Sequence, residues 1–81
     1  MEYQSLNEED YRVASILLET NSKIVTAIKS VLDALRYVEE LNIEFDLLSP
    51  VGSNSYSVIL DCEGVWLVMF DGEHEYRTLK E

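Results

Sequence analysis

The stretch SVILDCEGVWLVMFDG, from Ser57 to Gly72, decides how this chain folds. Its apolar runs are rich in β-branched and aromatic residues, and Gly punctuates them twice. Glu63-Gly64 and Asp71-Gly72 stand where two tight turns are needed, the second the better because Asp-Gly suits a type I′ hairpin. A hairpin wetted on one side would alternate polar and apolar residues, yet Val65 to Phe70 is apolar throughout. The strands therefore have two oily faces, and something must be said of each.

Pairing Cys62 with Val65 sorts the side chains. One face then carries Tyr56, Val58, Leu60, Cys62, Val65, Leu67 and Met69; the other carries Ser57, Ile59, Asp61, Trp66, Val68 and Phe70. A loop of two or four residues at Asp71 adds Tyr76 and Thr78 to the first face and Glu75, Arg77 and Leu79 to the second. A three-residue loop exchanges those two sets, because strand side chains have period two. The first face, nearly all apolar, is the natural seat for helices. The second mixes Ile59, Trp66, Val68 and Phe70 with Asp61, Glu73, Glu75 and Arg77. Burying it wholly in so small a domain would strand its charges away from water. It is expected to stay partly open, unless two helices straddle the sheet.

Upstream, Ile43, Phe45 and Leu47 alternate with Glu44 and Asp46 as a half-buried strand, and Pro50 to Asn54 reads as a loop. Before Asn42 there is neither Gly nor Pro. Ser5-Leu-Asn-Glu8 has the form of a capping box opening a helix, with Glu8, Glu9 and Asp10 filling its first turn. From Ala14 a heptad register runs through Ala14, Asn21, Ile28 and Leu35, and through Leu17, Ile24, Val31 and Val38. One reading is a single helix to Leu41, ending at Asn42, about 50 Å long, with Asn21 as the polar core residue of a coiled coil. The other is two helices broken at Thr20-Asn21-Ser22, with Asn21 left-handed and Ser22 capping the second. The flanking positions, Leu18, Val25 and Leu32 on one side and Val13, Ala27, Ala34 and Leu41 on the other, make the apolar face too wide for a free coiled coil and favour the break. Four charge pairs dress the polar face: Glu8 with Arg12, Glu19 with Lys23, Lys29 with Asp33, Arg36 with Glu40. The fold class predicted is α+β, one domain over 1–81, with a helical region (1–42) packed on a three- to four-stranded antiparallel meander (43–81).

At 81 residues such a domain buries only about 60–65% of its unfolded surface, and small cores often need support. Cys62 is the only cysteine, so no internal disulfide supplies it, which fits a reducing compartment. Glu2 stands where a signal peptide would be basic, and no apolar run approaches the roughly 20 residues of a membrane span. A cytoplasmic location is expected. Sixteen acidic residues against six basic ones give a net charge of −10, which argues against direct contact with nucleic acid or anionic membrane.

Chemistry is sought with little result. His74 sits among Asp71, Glu73 and Glu75, but one His and one Cys do not make a zinc set, and the twelve-residue frame of a calcium loop is absent. Cys62 and His74 fall near opposite ends of a six-residue strand, about 20 Å apart, too far for a catalytic pair. No glycine loop suited to phosphate occurs. The reading is therefore a non-enzymatic binding protein without cofactor or metal. It engages and inhibits or regulates a partner protein with a basic surface, in the manner of immunity proteins, antitoxins and viral inhibitors. The expected contact residues are Trp66, Val68 and Phe70, rimmed by Asp61, Glu73, Glu75 and Arg77, with Arg77 stacking on Trp66. Two alternatives use the same features: a homo-oligomer, such as a homodimer, joined through the helical seam or sheet face, and a nucleic-acid mimic acting through charge alone.

Overall fold

The structure, a computed structural model, describes residues 3–34, 40–47, 52 and 54–80. Two helices, α1 (Glu8–Glu19) and α2 (Ser22–Ala34), precede four strands, β1 (Asn42–Leu47), β2 (Ser55–Asp61), β3 (Gly64–Phe70) and β4 (Glu75–Leu79). The strands form one antiparallel meander in the order β1-β2-β3-β4. The α+β arrangement is as the patterning requires.

The helix break falls at Thr20 and Asn21, but its chemistry differs from the expectation. No described residue other than glycine has positive φ, so Asn21 is not left-handed. Instead its Oδ1 accepts the Ile24 backbone N–H at 3.2 Å, which makes Asn21 itself the cap of α2. Thr20 closes α1 by donating its hydroxyl to the Ile16 carbonyl, 2.9 Å away. The start of α1 also moves. Asn7, not Ser5, is the N-cap, accepting the Asp10 N–H at 2.8 Å. Residues 4–6 are spent otherwise: Gln4 bridges Tyr76 in parallel, its carbonyl accepts the Arg77 N–H at 2.9 Å, and the buried Leu6 donates its N–H to Thr78 Oγ1 at 2.8 Å. A segment paired along β4 cannot also be helical. Glu40 and Leu41 are not helical either, while Leu35, Val38 and Arg36 lie outside the described residues. None of the charge pairs Glu8–Arg12, Glu19–Lys23 or Lys29–Asp33 closes to ion-pair distance; among the described residues the pairs are Arg77–Glu75 and His74–Glu73.

The first hairpin turns at Cys62-Glu63, with Asp61 opposite Gly64 and Leu60 opposite Val65. This is two residues away from a Cys62–Val65 pairing. Cys62 consequently leaves the strand and is exposed at the turn. A slip of two preserves every face, so the sorting of β2 and β3 side chains stands. Gly64, at φ +134, takes the strained backbone that lets the chain re-enter the sheet. The second turn is the four-residue loop Asp71–His74, with Phe70 opposite Glu75.

Both helices lie on one side of the sheet. α1 packs on β2 and β3, and α2 packs on α1. The core they enclose joins Ala14, Leu18 and Ile28 to Leu47, Tyr56, Val58, Leu60, Leu67 and Met69. Val58, Leu60 and Leu67 are its fully buried centre. Burial of a Leu or Val side chain contributes about 1.5–3 kcal/mol, so this layer is the main source of stability. Tyr56 ties it to the first turn of α1 through a hydrogen bond to Asp10 Oδ1 at 3.3 Å.

Candidate functional site

The face turned away from the helices is built by register. Four rows cross it: Asn42, Asp61 and Gly64; Glu44, Ile59, Trp66 and Leu79; Asp46, Ser57, Val68 and Arg77; then Ser55, Phe70 and Glu75. Along β3, Trp66, Val68 and Phe70 make an apolar line about 13 Å long. Carboxylates flank it on both sides, from β1 and from β4.

This second face is partly closed by its own side chains. Ile59 and Val68 are only 4% and 2% exposed, yet neither belongs to the core beneath the helices. Their cross-strand neighbours are large: Trp66 stands opposite Ile59 and Arg77 opposite Val68. The Arg77 guanidinium does not stack on Trp66. It lies 4.2 Å from the centroid of the Tyr3 ring, while Arg77 Nε donates to Glu75 at 2.8 Å. The reason is the N-terminal segment, which pairs with β4 and carries Tyr3 to Arg77. What stays open is Phe70, 43% exposed, Leu79, 39% exposed, and Tyr3; Trp66 is half-buried.

The acidic residues divide into two kinds. Asp61 is engaged: Oδ1 accepts the Glu63 N–H at 2.8 Å, and Oδ2 accepts the indole N–H of Trp66 at 3.0 Å. It orients the indole and shapes the turn. Asp71 repeats the device ten residues on, accepting the N–H groups of Glu73 and His74 and, at 3.3 Å, the Tyr76 hydroxyl. The backbone donors from His74 and Glu73 hold its carboxyl below the usual aspartate range. A shared spacing underlies both turns: D-x-E-x-x-W at 61–66 and D-x-E-x-x-Y at 71–76. By contrast Glu44 and Asp46 are exposed, and Glu73 points into solvent beside His74, 3.9 Å away.

Of the seven residues singled out from the sequence, Trp66, Val68, Phe70, Asp61, Glu75 and Arg77 share this face or its edge. Glu73 sits in the loop beyond it. Tyr3, Leu79, Glu44 and Asp46 complete the surface. Glu44 and Asp46 could be assigned to a polar strand face by alternation, but only strand order puts that face beside Trp66. Nothing in the local sequence brings Tyr3 to Arg77. Among the described residues no group of three or more His, Cys, Asp or Glu side chains is placed to hold a metal ion. No helix of the described residues is long and apolar enough to cross a membrane. Comparison with protein-family models, curated proteins and solved structures returned no match.

Proposed function

We propose that this chain is a small acidic protein-binding module that docks through the sheet face opposite its helices and inhibits or regulates the partner it covers. One observation carries the reading: exposed Phe70, Leu79 and Tyr3 lie on the same side of the sheet as a half-buried Trp66, with the exposed carboxylates Glu44, Asp46 and Glu75 beside them. An aromatic centre with a polar rim is the anatomy of a recognition surface. Its exposed carboxylates and a net charge of −10 select a basic partner, first by speeding encounter. Contact with Phe70 and Leu79 then supplies desolvated area, and aromatic anchors carry most of the energy in such surfaces.

The test compares the wild type with a Phe70→Ala/Leu79→Ala variant in quantitative capture from the native host, across a salt series, alongside mass by sedimentation. Both side chains are exposed, so the variant is expected to keep its fold. A protein retained by wild type, released by salt and lost with the variant supports the reading. A bound protein unaffected by the variant overturns it, and favours a charge-only mimic if salt alone releases that protein. A dimeric mass that the variant reduces to monomer favours the homo-oligomer.

A further inference from the structure

The sheet has two edges, and the chain treats them differently. Along β4 its own N-terminal segment covers the edge: Gln4 bridges Tyr76, and the Gln4 carbonyl accepts the Arg77 N–H at 2.9 Å. Along β1 no described residue pairs on the side away from β2. In an antiparallel ladder every second residue turns its N–H and C=O away from the neighbouring strand. β1 therefore presents a row of backbone donors and acceptors about 20 Å long. Its register against β2 is unbroken from Asn42 to Leu47, with neither bulge nor proline to blunt it.

The side chains give this edge two characters. On the helix side Ile43 and Phe45 are only half-buried, while their β2 partners Leu60 and Val58 are 0% exposed. On the other side Glu44 and Asp46 are exposed, and neither is ion-paired among the described residues. Glu44 accepts a long hydrogen bond from the Ser57 hydroxyl, at 3.4 Å. These carboxylates decide which strand the edge admits. A second copy added to β1 about a twofold axis keeps each face of the sheet continuous, so acidic positions meet acidic positions. Centred on Glu44, that pairing sets Glu44 against its own copy; centred on Phe45, it sets Glu44 against Asp46 twice. Like charges directly opposite are destabilising, and the copy brings ten further negative charges. A strand with Lys or Arg at alternate positions reverses both effects.

We propose that β1 takes up an extended segment of the partner protein, in which basic residues alternate with apolar ones, as a further strand of the sheet. Its basic side chains lie beside Glu44 and Asp46, on the face that carries Trp66, and its apolar ones beside Ile43 and Phe45. Backbone hydrogen bonds supply the affinity of such an added strand, and the alternation supplies its specificity. The same charges that reject a copy of this chain thereby select the partner. The inference rests on the docking role proposed above, and names the part of the basic partner that is held.

The experiment follows backbone amide resonances of the intact chain during titration with a short capped peptide of alternating lysine and valine, up to about 1 mM. Saturable shifts are expected in residues 42–47, with slowed hydrogen exchange at every second amide of β1. N-methylating the peptide at its lysines or at its valines blocks one of its two edges; one pattern should abolish binding and the other retain it. A Glu44→Gln/Asp46→Asn variant should bind about tenfold more weakly. Both positions are exposed, so its melting temperature should not fall. Absence of shifts in β1, shifts centred on another element, equal behaviour of the two N-methylated peptides, or an unchanged affinity in the variant would each overturn the proposal. So would a dimeric mass with β1 amides already protected before peptide is added. Phe70→Ala/Leu79→Ala should leave peptide binding unchanged, because those residues lie on β3 and β4. Partner capture lost with that variant while the peptide leaves β1 untouched sinks the added strand and spares the Trp66 face. Peptide binding at β1 with capture indifferent to Phe70 and Leu79 does the reverse.

Discussion

Single side chains in this protein are settled by where their polar atoms find partners. Asp71 shows this most directly. Its folded carboxyl is held below the ordinary value of 3.8 by the N–H groups of His74 and Glu73. The stability it contributes is therefore present above that value and lost as pH falls from about 4 through the folded pKa. Asp71→Asn keeps an acceptor for the turn but cannot titrate, so its acid unfolding limb should be flatter, as measured by circular dichroism against pH. Tyr56 runs the opposite way: burial raises its phenol above 10.0, and the Asp10 carboxylate beside it adds to the rise. Its contribution is present below that value and lost as pH climbs through the raised pKa. Ser15 is the one described residue with a buried side-chain polar atom lacking a partner. An unsatisfied hydroxyl costs about 1–3 kcal/mol, and Ala is the better helix former. Ser15→Ala should raise the melting temperature by roughly 4–8 °C for each kcal/mol recovered.

Among the elements, the helical hairpin depends on a short polar break inside an apolar heptad. Asn21 interrupts a register that would otherwise run on, and its side chain caps α2. Asn21→Ala removes the cap and restores a good helix former, so it should cost about 1 kcal/mol in urea unfolding. If α1 and α2 instead fused into one helix, the protein would gain helicity and lose the hairpin, a change visible in far-ultraviolet dichroism. Asn7→Ala should cost a similar amount by freeing the Asp10 N–H. The strands are less sensitive to such single changes. Their turns are held by Asp61 and Asp71, and each of these also receives an aromatic donor, Trp66 or Tyr76, from the following strand.

For the molecule as a whole, charge opposes compactness. A net charge of −10 on 81 residues repels itself, so added sodium chloride should raise the melting temperature, while any electrostatic contact with a basic partner weakens. The two salt responses have opposite sign and can be read in the same samples. Phe70→Ala, on the open face, should leave the melting temperature within a few degrees, because a surface side chain contributes little to folding. Leu67→Ala, at the fully buried centre, should cost about 2–5 kcal/mol and lower it sharply. That contrast separates the face that folds the domain from the face offered to a partner.

Local pattern alone determined the helix-then-strand order, the alternation of β1, the existence of two turns separating the last three strands, and the division of β2 and β3 into two faces. Each follows from periodicity or turn chemistry within a few residues. The division survived a two-residue error in hairpin register because side chains repeat every second residue. Tertiary structure alone decided that residues 4–6 pair with β4 instead of opening α1, that Tyr3 rather than Trp66 lies under Arg77, and that Ile59 and Val68 are shielded without any helix above them. Those outcomes depend on contacts between segments some seventy residues apart, or on the order of strands in the sheet. No local spacing encodes them, since the free energy that selects them arises only when distant side chains compete for the same surface.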